Sequence, residues 1–161
     1  MSSGGGSAAE LSPADRVQEL LELIADTAGI DADVEIHEDG DGLVAEYVGD
    51  DLAVLIGHHG QTIDAIQHLA YRIASRRDEP RVSVLVDAAG YRERRAVILR
   101  QAADQAAATA LREDRPVALE AMSALERKVI HEHLKDRRDL ETYSEGQEPS
   151  RHLVVAPLVE G

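Results

Sequence analysis

The sequence predicts an α+β protein: one unit ordered helix, strand, strand, short helix, long helix, strand, then a smaller unit of helices and short strands. Three observations carry this. Apolar residues recur at three- and four-residue spacing around Val17–Ala28, Ile63–Ile73 and Leu125–Leu134, the repeat of a helix with one buried face. Stretches of strand character occur at Val34–Ile36, Leu43–Val48 and Arg81–Val86, between turn-forming residues. The breaks at Asp78-Glu79-Pro80 and Arg112–Pro116 are short, so the elements follow one another closely.

Ser12-Pro13 reads as a helix N-cap and first helical residue, with Asp15 in the first turn. Val17, Leu20, Leu21, Ile24 and Ala28 form the apolar stripe, and Gly29 suits the C-terminal cap. The polar run Glu38–Gly42 joins the next two strands as a hairpin. Val54-Leu55-Ile56 stops at Gly57-His58-His59-Gly60, after which Ile63, Ile66, Leu69, Ala70 and Ile73 share a helix face. In the strand Arg81–Val86, Val82, Val84 and Val86 point one way. Helix Tyr91–Leu111 presents Ala96, Leu99, Ala103, Ala107 and Ala110, a small face for close packing. Val117–Leu119 is a short strand, and Ser123 with Glu126 forms a capping box for a helix that buries Leu125, Val129, Ile130 and Leu134. Leu140–Tyr143 and Leu153–Val155 are short strands around the turn Ser144–Pro149.

The 161 residues contain no cysteine, which excludes disulfides and thiolate metal sites. No apolar run approaches a membrane span, and MSSGGGSAAELSP lacks the basic-then-apolar order of a secretory signal. The expectation is a cytoplasmic protein without membrane insertion, its residues 1–10 disordered. A formal charge of -14 argues at first against nucleic acid. Its distribution argues otherwise. Residues 1–50 hold 13 acids against Arg16 alone, leaving the rest nearly balanced. Of the 17 bases 15 are arginine, whose fork suits phosphate better than a point charge. The acidic third is most simply a solvated helix and hairpin; a sharper reading has it repel nucleic acid from one side.

Two glycines opening a helix allow a tight turn and close approach of a ligand to the first-turn amides, which favour phosphate. Arg127 and His131 lie four apart, one turn along a helix. Spacing alone favours the blander reading, Arg127 paired with a carboxylate of the protein itself. An enzyme reading finds little. His131 and His133 point different ways on a helix, Lys135 stands where a zinc-protease pattern needs its second histidine, and no P-loop or nucleophile elbow is present.

The stretches Leu55–Ala65, Asp87–Arg95, Glu126–His131 and Ser144–Arg151 together resemble the Jag family, the KhpB-type proteins. That family joins a KH domain to an R-3-H domain named for its Arg-x-x-x-His motif. The resemblance implies a type II-like KH fold over residues 11–88, a small α/β R-3-H domain over 89–157 and a tail at 158–161. It implies a non-catalytic protein binding RNA or single-stranded nucleic acid, linked to post-transcriptional control of growth and division, with no cofactor. It also implies a small single-KH-domain partner, in a homo- or heterodimer. By motif position it assigns Gly57, His58, His59, Gly60 and Gln61 to the nucleic-acid clamp, where the two histidines stand at positions often basic in such domains. With it, Arg127 and His131 read as a second phosphate site, with Lys128 and Arg151 as helpers. Arg92, Arg94 and Arg95, read from the residues themselves, either extend the basic surface or form the solvated start that is more usual for an Arg-rich helix. Ile56, Ile63 and Ile66 read as core rather than as a platform for bases. With no Phe or Trp and four Tyr, an aromatic stacking platform is not expected. The alternative function is a protein-interaction scaffold that uses the KH fold for dimerisation.

Overall fold

The computed structural model describes residues 10–159, in two compact units that divide between Arg92 and Glu93. Of the expected lead at residues 1–10, all but Glu10 lie outside the described residues, as do the last two residues of the expected tail.

In the first unit, α1 (Pro13–Thr27) starts as its sequence dictates. The Ser12 hydroxyl accepts from the Asp15 amide at 3.1 Å and the Asp15 carboxylate accepts from the Ser12 amide at 3.3 Å, satisfying two donors that the helix start leaves over. The helix ends at left-handed Gly29, with the Ile30 amide on the Ala25 carbonyl and the Gly29 amide on the Asp26 carbonyl. Ala28, expected on the apolar stripe, is exposed at the cap; Ala25 is buried in its place.

Strands β1 (Asp33–Asp39) and β2 (Gly42–Val48) pair antiparallel through a two-residue turn, and β3 (Ser83–Ala88) joins β2 in parallel, giving the order β1-β2-β3. Parallel strands need a crossover. Here α2 (Ala53–Ile56), a 3-10 turn at His58–Gly60 and α3 (Gln61–Ala74) supply it. The strand expected from Arg81 begins at Ser83, because Val82 directs its amide and carbonyl to the Ser75 hydroxyl at 3.0 and 3.2 Å.

The core combines Val17 and Leu21 of α1, Leu43, Ala45 and Tyr47 of β2, Val84 and Val86 of β3, and Leu55, Ile63, Ile66 and Ala70 of the crossover. The Tyr47 hydroxyl donates to the Leu21 carbonyl at 2.7 Å, and burial pushes its pKa above the ordinary phenol value. Leu69 and Ile73, expected to be buried, are 51% and 37% exposed. The buried face runs through Ile63, Ile66, Ala70 and Ala74, and the two larger residues lie about 100° round the helix from Ala70 and Ala74.

Arg16 is the least expected core residue. At 4% exposure it donates to the carbonyls of Leu11, Ile73 and Ala74 at 2.7 to 2.9 Å and to Glu79 at 2.8 Å. Its guanidinium thus closes the C-terminal end of α3, where carbonyls lack helical partners.

Helix α4 (Tyr91–Glu113) starts at the end of the first unit and continues into the second, two residues beyond the expected Leu111. After it come β4 (Val117–Ala121), α5 (Ala124–Leu134), β5 (Leu140–Glu145) and β6 (His152–Pro157), with the antiparallel order β4-β6-β5. The core is built from Leu99, Ala103 and Ala107 of α4, Ile130 and Leu134 of α5, and Leu140, Leu153 and Val155 of the sheet. Only half of the expected capping box forms. The Ser123 hydroxyl accepts from the Glu126 amide at 3.2 Å, but the Glu126 carboxylate turns to Arg95 at 2.6 Å. Leu125, expected to be buried, is 50% exposed, and the buried positions of that first turn are Glu126 and Arg127.

Candidate nucleic-acid interface

In the first unit the glycine loop has a shape that only its two glycines allow. Gly57 sits at φ 74°, ψ -177°, a region essentially closed to other residues. A Cβ there would lie 2.2 Å from Thr62 Oγ1. Gly60 is left-handed at φ 76°, ψ 13°, and a Cβ there would lie 2.6 Å from Tyr91 Cε1. Tyr91 therefore seats the loop from behind.

Helix α3 starts on Gly60 with no side-chain cap, and the one acid of its first turn, Asp64, is paired with Arg92, so the positive end of the helix is not capped from the loop. His58 and His59 are exposed with rings stacked at 3.9 Å and 25°, and Gln61 is exposed beside them. Backbone amides, two imidazoles and one carboxamide can together receive a phosphate. Ile63 and Ile66 are buried and Ile56 packs against the same core, in keeping with the reading of these residues as core.

Arg92 is placed differently from its expected role as basic surface. It donates to the Val86 carbonyl at 2.8 Å, to Asp64 at 2.7 Å and to Gln67 at 3.0 Å. The Gln67 side chain also accepts from the Val86 amide at 2.9 Å. Together they close the free edge of β3 at Val86 and tie the start of α4 to α3.

In the second unit Arg95, also expected as basic surface, is held by Glu126, with 18% of its side chain exposed. Arg127 is turned inward, its side chain 9% exposed. Its guanidinium donates to the Met122 carbonyl at 2.7 Å and to Glu148 at 2.8 Å. This is the internal carboxylate pairing that spacing alone favours, and it does not present Arg127 beside His131 as a phosphate grip.

His131 is exposed on α5, and its Nδ1 is hydrogen-bonded to the Thr142 hydroxyl of β5, leaving Nε2 as the nitrogen that can meet a ligand. Lys128 is exposed on the same helix. Arg151, partly exposed, lies in the loop between β5 and β6 and donates to the Gly146 carbonyl at 2.7 Å. The supporting residues Tyr91, Gln67, Thr142 and Glu148 were not read from the sequence. Each acts on a residue from 11 to 31 positions away, and no local pattern carries such pairings.

No helix among the described residues is long and apolar enough to cross a membrane, and no group of three or more His, Asp or Glu among them could hold a metal ion.

The two units match two family models in chain order: "KhpA/KhpB, KH domain" over residues 14–86 and the R-3-H domain over residues 97–157. The class is therefore a KH domain followed by an R-3-H domain. Among curated proteins, the chain is 34% identical over 144 residues to the "RNA-binding protein KhpB" of Clostridium symbiosum, covering 88% of this chain and 65% of that protein. It is 32% identical over 149 residues to the protein of the same name from Bacillus subtilis (strain 168), covering 91% of this chain and 72% of that one. A third, from Lactiplantibacillus plantarum, is 33% identical over 138 residues, 86% of this chain and 43% of the relative. The chain thus spans 65% and 43% of the length of two of these relatives. It belongs to the KhpB family.

Proposed function

We propose that this chain binds RNA or another single-stranded nucleic acid without catalysing a reaction on it. The observation that carries the reading is the glycine loop: an uncapped helix start beside two exposed histidines, shaped by glycines at positive φ. Such a loop can clamp a nucleotide backbone without reading its bases. The names of the relatives, each an "RNA-binding protein", support the same reading. Contacts from the first unit would come from Gly57, His58, His59, Gly60 and Gln61, and from the second unit from Lys128, His131 and Arg151. A cytoplasmic protein in post-transcriptional control of growth and division, working with a small single-KH-domain protein, completes the proposal. The matched model describes KH domains of both KhpA and KhpB.

The test is fluorescence anisotropy of a labelled oligouridine over a series of salt concentrations. Wild type should bind, with affinity falling as salt rises. His58→Asp/His59→Asp places two negative charges at the loop tip and leaves both glycines in place. It should weaken binding by about tenfold or more without changing the melting temperature. A wild-type chain that does not bind, or an unaltered affinity in the variant, contradicts the reading and favours a protein-interaction scaffold.

A further inference from the structure

Arg127 gives its name to half of the Arg-x-x-x-His pair, yet its guanidinium is enclosed, whereas its partner Glu148 is 59% exposed. Two of its donors are already used, on the Met122 carbonyl and on Glu148. These acceptors belong to different segments. Met122 follows β4 immediately before α5, and Glu148 lies in the loop between β5 and β6. The same two segments are joined a second time, because the Met122 amide donates to the Arg151 carbonyl at 3.2 Å. Inside the loop the Ser150 amide donates to the Gln147 carbonyl at 2.8 Å, and Arg151 donates back to Gly146. The guanidinium is thus a side-chain fastener that, beside this backbone bond, holds loop 146–151 against the start of α5.

We infer that Arg127 is a positioning residue. Locked by Glu148, it holds the loop that carries Arg151 against the start of α5, and it does not itself contact phosphate. This rests on the nucleic-acid reading above. The reason is one of alternatives. To reach a phosphate, Arg127 would have to leave its enclosed place between Met122 and Glu148, giving up the side-chain tie and leaving the backbone bond from Met122 to Arg151 to hold the loop alone. Lys128 and His131 remain outward and Arg151 partly exposed, so they can act as contacts while Arg127 stays in place.

Two roles for Arg127 predict opposite signs for one change. If Arg127 grips phosphate, Glu148 competes with the ligand. Glu148→Ala and Glu148→Gln should then both tighten binding, and the added contact should steepen the dependence of log affinity on log salt by about 0.7 for a single strand. If Arg127 positions the loop, Glu148→Ala should weaken binding roughly three- to tenfold even though it removes a negative charge. Glu148→Gln, which keeps an acceptor oxygen for Arg127, should restore affinity to within about twofold, with an unchanged salt slope.

The experiment is anisotropy of the full chain with labelled oligouridine across a salt series for wild type and both variants, with folding followed by circular dichroism. Weakening in Glu148→Ala with rescue in Glu148→Gln is the expected result. Tighter binding with a steeper slope in either variant overturns the inference while leaving nucleic-acid binding intact. If Glu148→Ala fails to fold, the affinity and slope of Glu148→Gln still decide. Wild type that fails to bind oligouridine overturns the nucleic-acid reading, and the inference with it.

Discussion

Gly60→Ala would place a methyl group 2.6 Å from Tyr91 Cε1 and 3.0 Å from its hydroxyl oxygen. The Tyr91 ring must then retreat to about 3.4 Å, although it is packed against the core of the first unit. Overpacking of this kind costs about 1–3 kcal/mol. The backbone adds to it. At φ 76° and ψ 13° an L side chain pays about 1–2 kcal/mol. The first unit should therefore lose about 2–5 kcal/mol, and each kcal/mol corresponds to about 4–8 °C in a domain of this size. Hydrogen exchange at the β2 amides, which reports on this unit by itself, is the assay. The two contributions separate in a double-mutant cycle. Tyr91→Ala removes the clash and leaves the backbone strain, so the cycle should show a favourable coupling of about 1–3 kcal/mol. A loss in Gly60→Ala below about 0.5 kcal/mol, or no coupling to Tyr91, would refute the claim that Tyr91 seats the loop.

Two further outcomes follow from named contacts. Arg16→Met should destabilise the first unit by about 2–4 kcal/mol in urea unfolding, since charge-assisted bonds to the end of α3 are lost, and Arg16→Lys should recover little of it because one ammonium cannot span those acceptors. Tyr47 has a raised pKa caused by burial, so its proton is held more firmly in the folded chain than in the unfolded one. Its contribution to stability is complete below the ordinary phenol value of 10.0 and is lost as pH rises above it. Tyr47→Phe should remove that alkaline component of a stability-versus-pH profile.

Local chemistry was legible where a few neighbouring residues decide the outcome. The Ser12/Asp15 cap, the hairpin at Gly40 and the helix starting after Gly60 all depend on contacts within a few positions. Pairings over long separations were not. Arg92 with Asp64, Arg95 with Glu126 and Arg127 with Glu148 lie 28, 31 and 21 positions apart. An arginine that joins two segments has the same local sequence as one that faces solvent. Glu126 shows the competition directly. Its spacing from Ser123 suits a capping box, but an ion pair with Arg95 in a half-buried setting takes the carboxylate instead. The exposure of Leu69 and Ile73 has a different cause: three- and four-residue spacing admits a stripe wider than the face the sheet covers.

The most direct measurement is an amide chemical-shift titration of the full chain with a short single-stranded RNA. The account predicts that the largest changes fall on His58 to Ile63, on Lys128 and His131, and on Arg151, with the Arg127 side-chain signals still showing its bond to Glu148. Shifts confined to the β1–β2 hairpin or to the exposed face of α4, with the glycine loop unmoved, would contradict it.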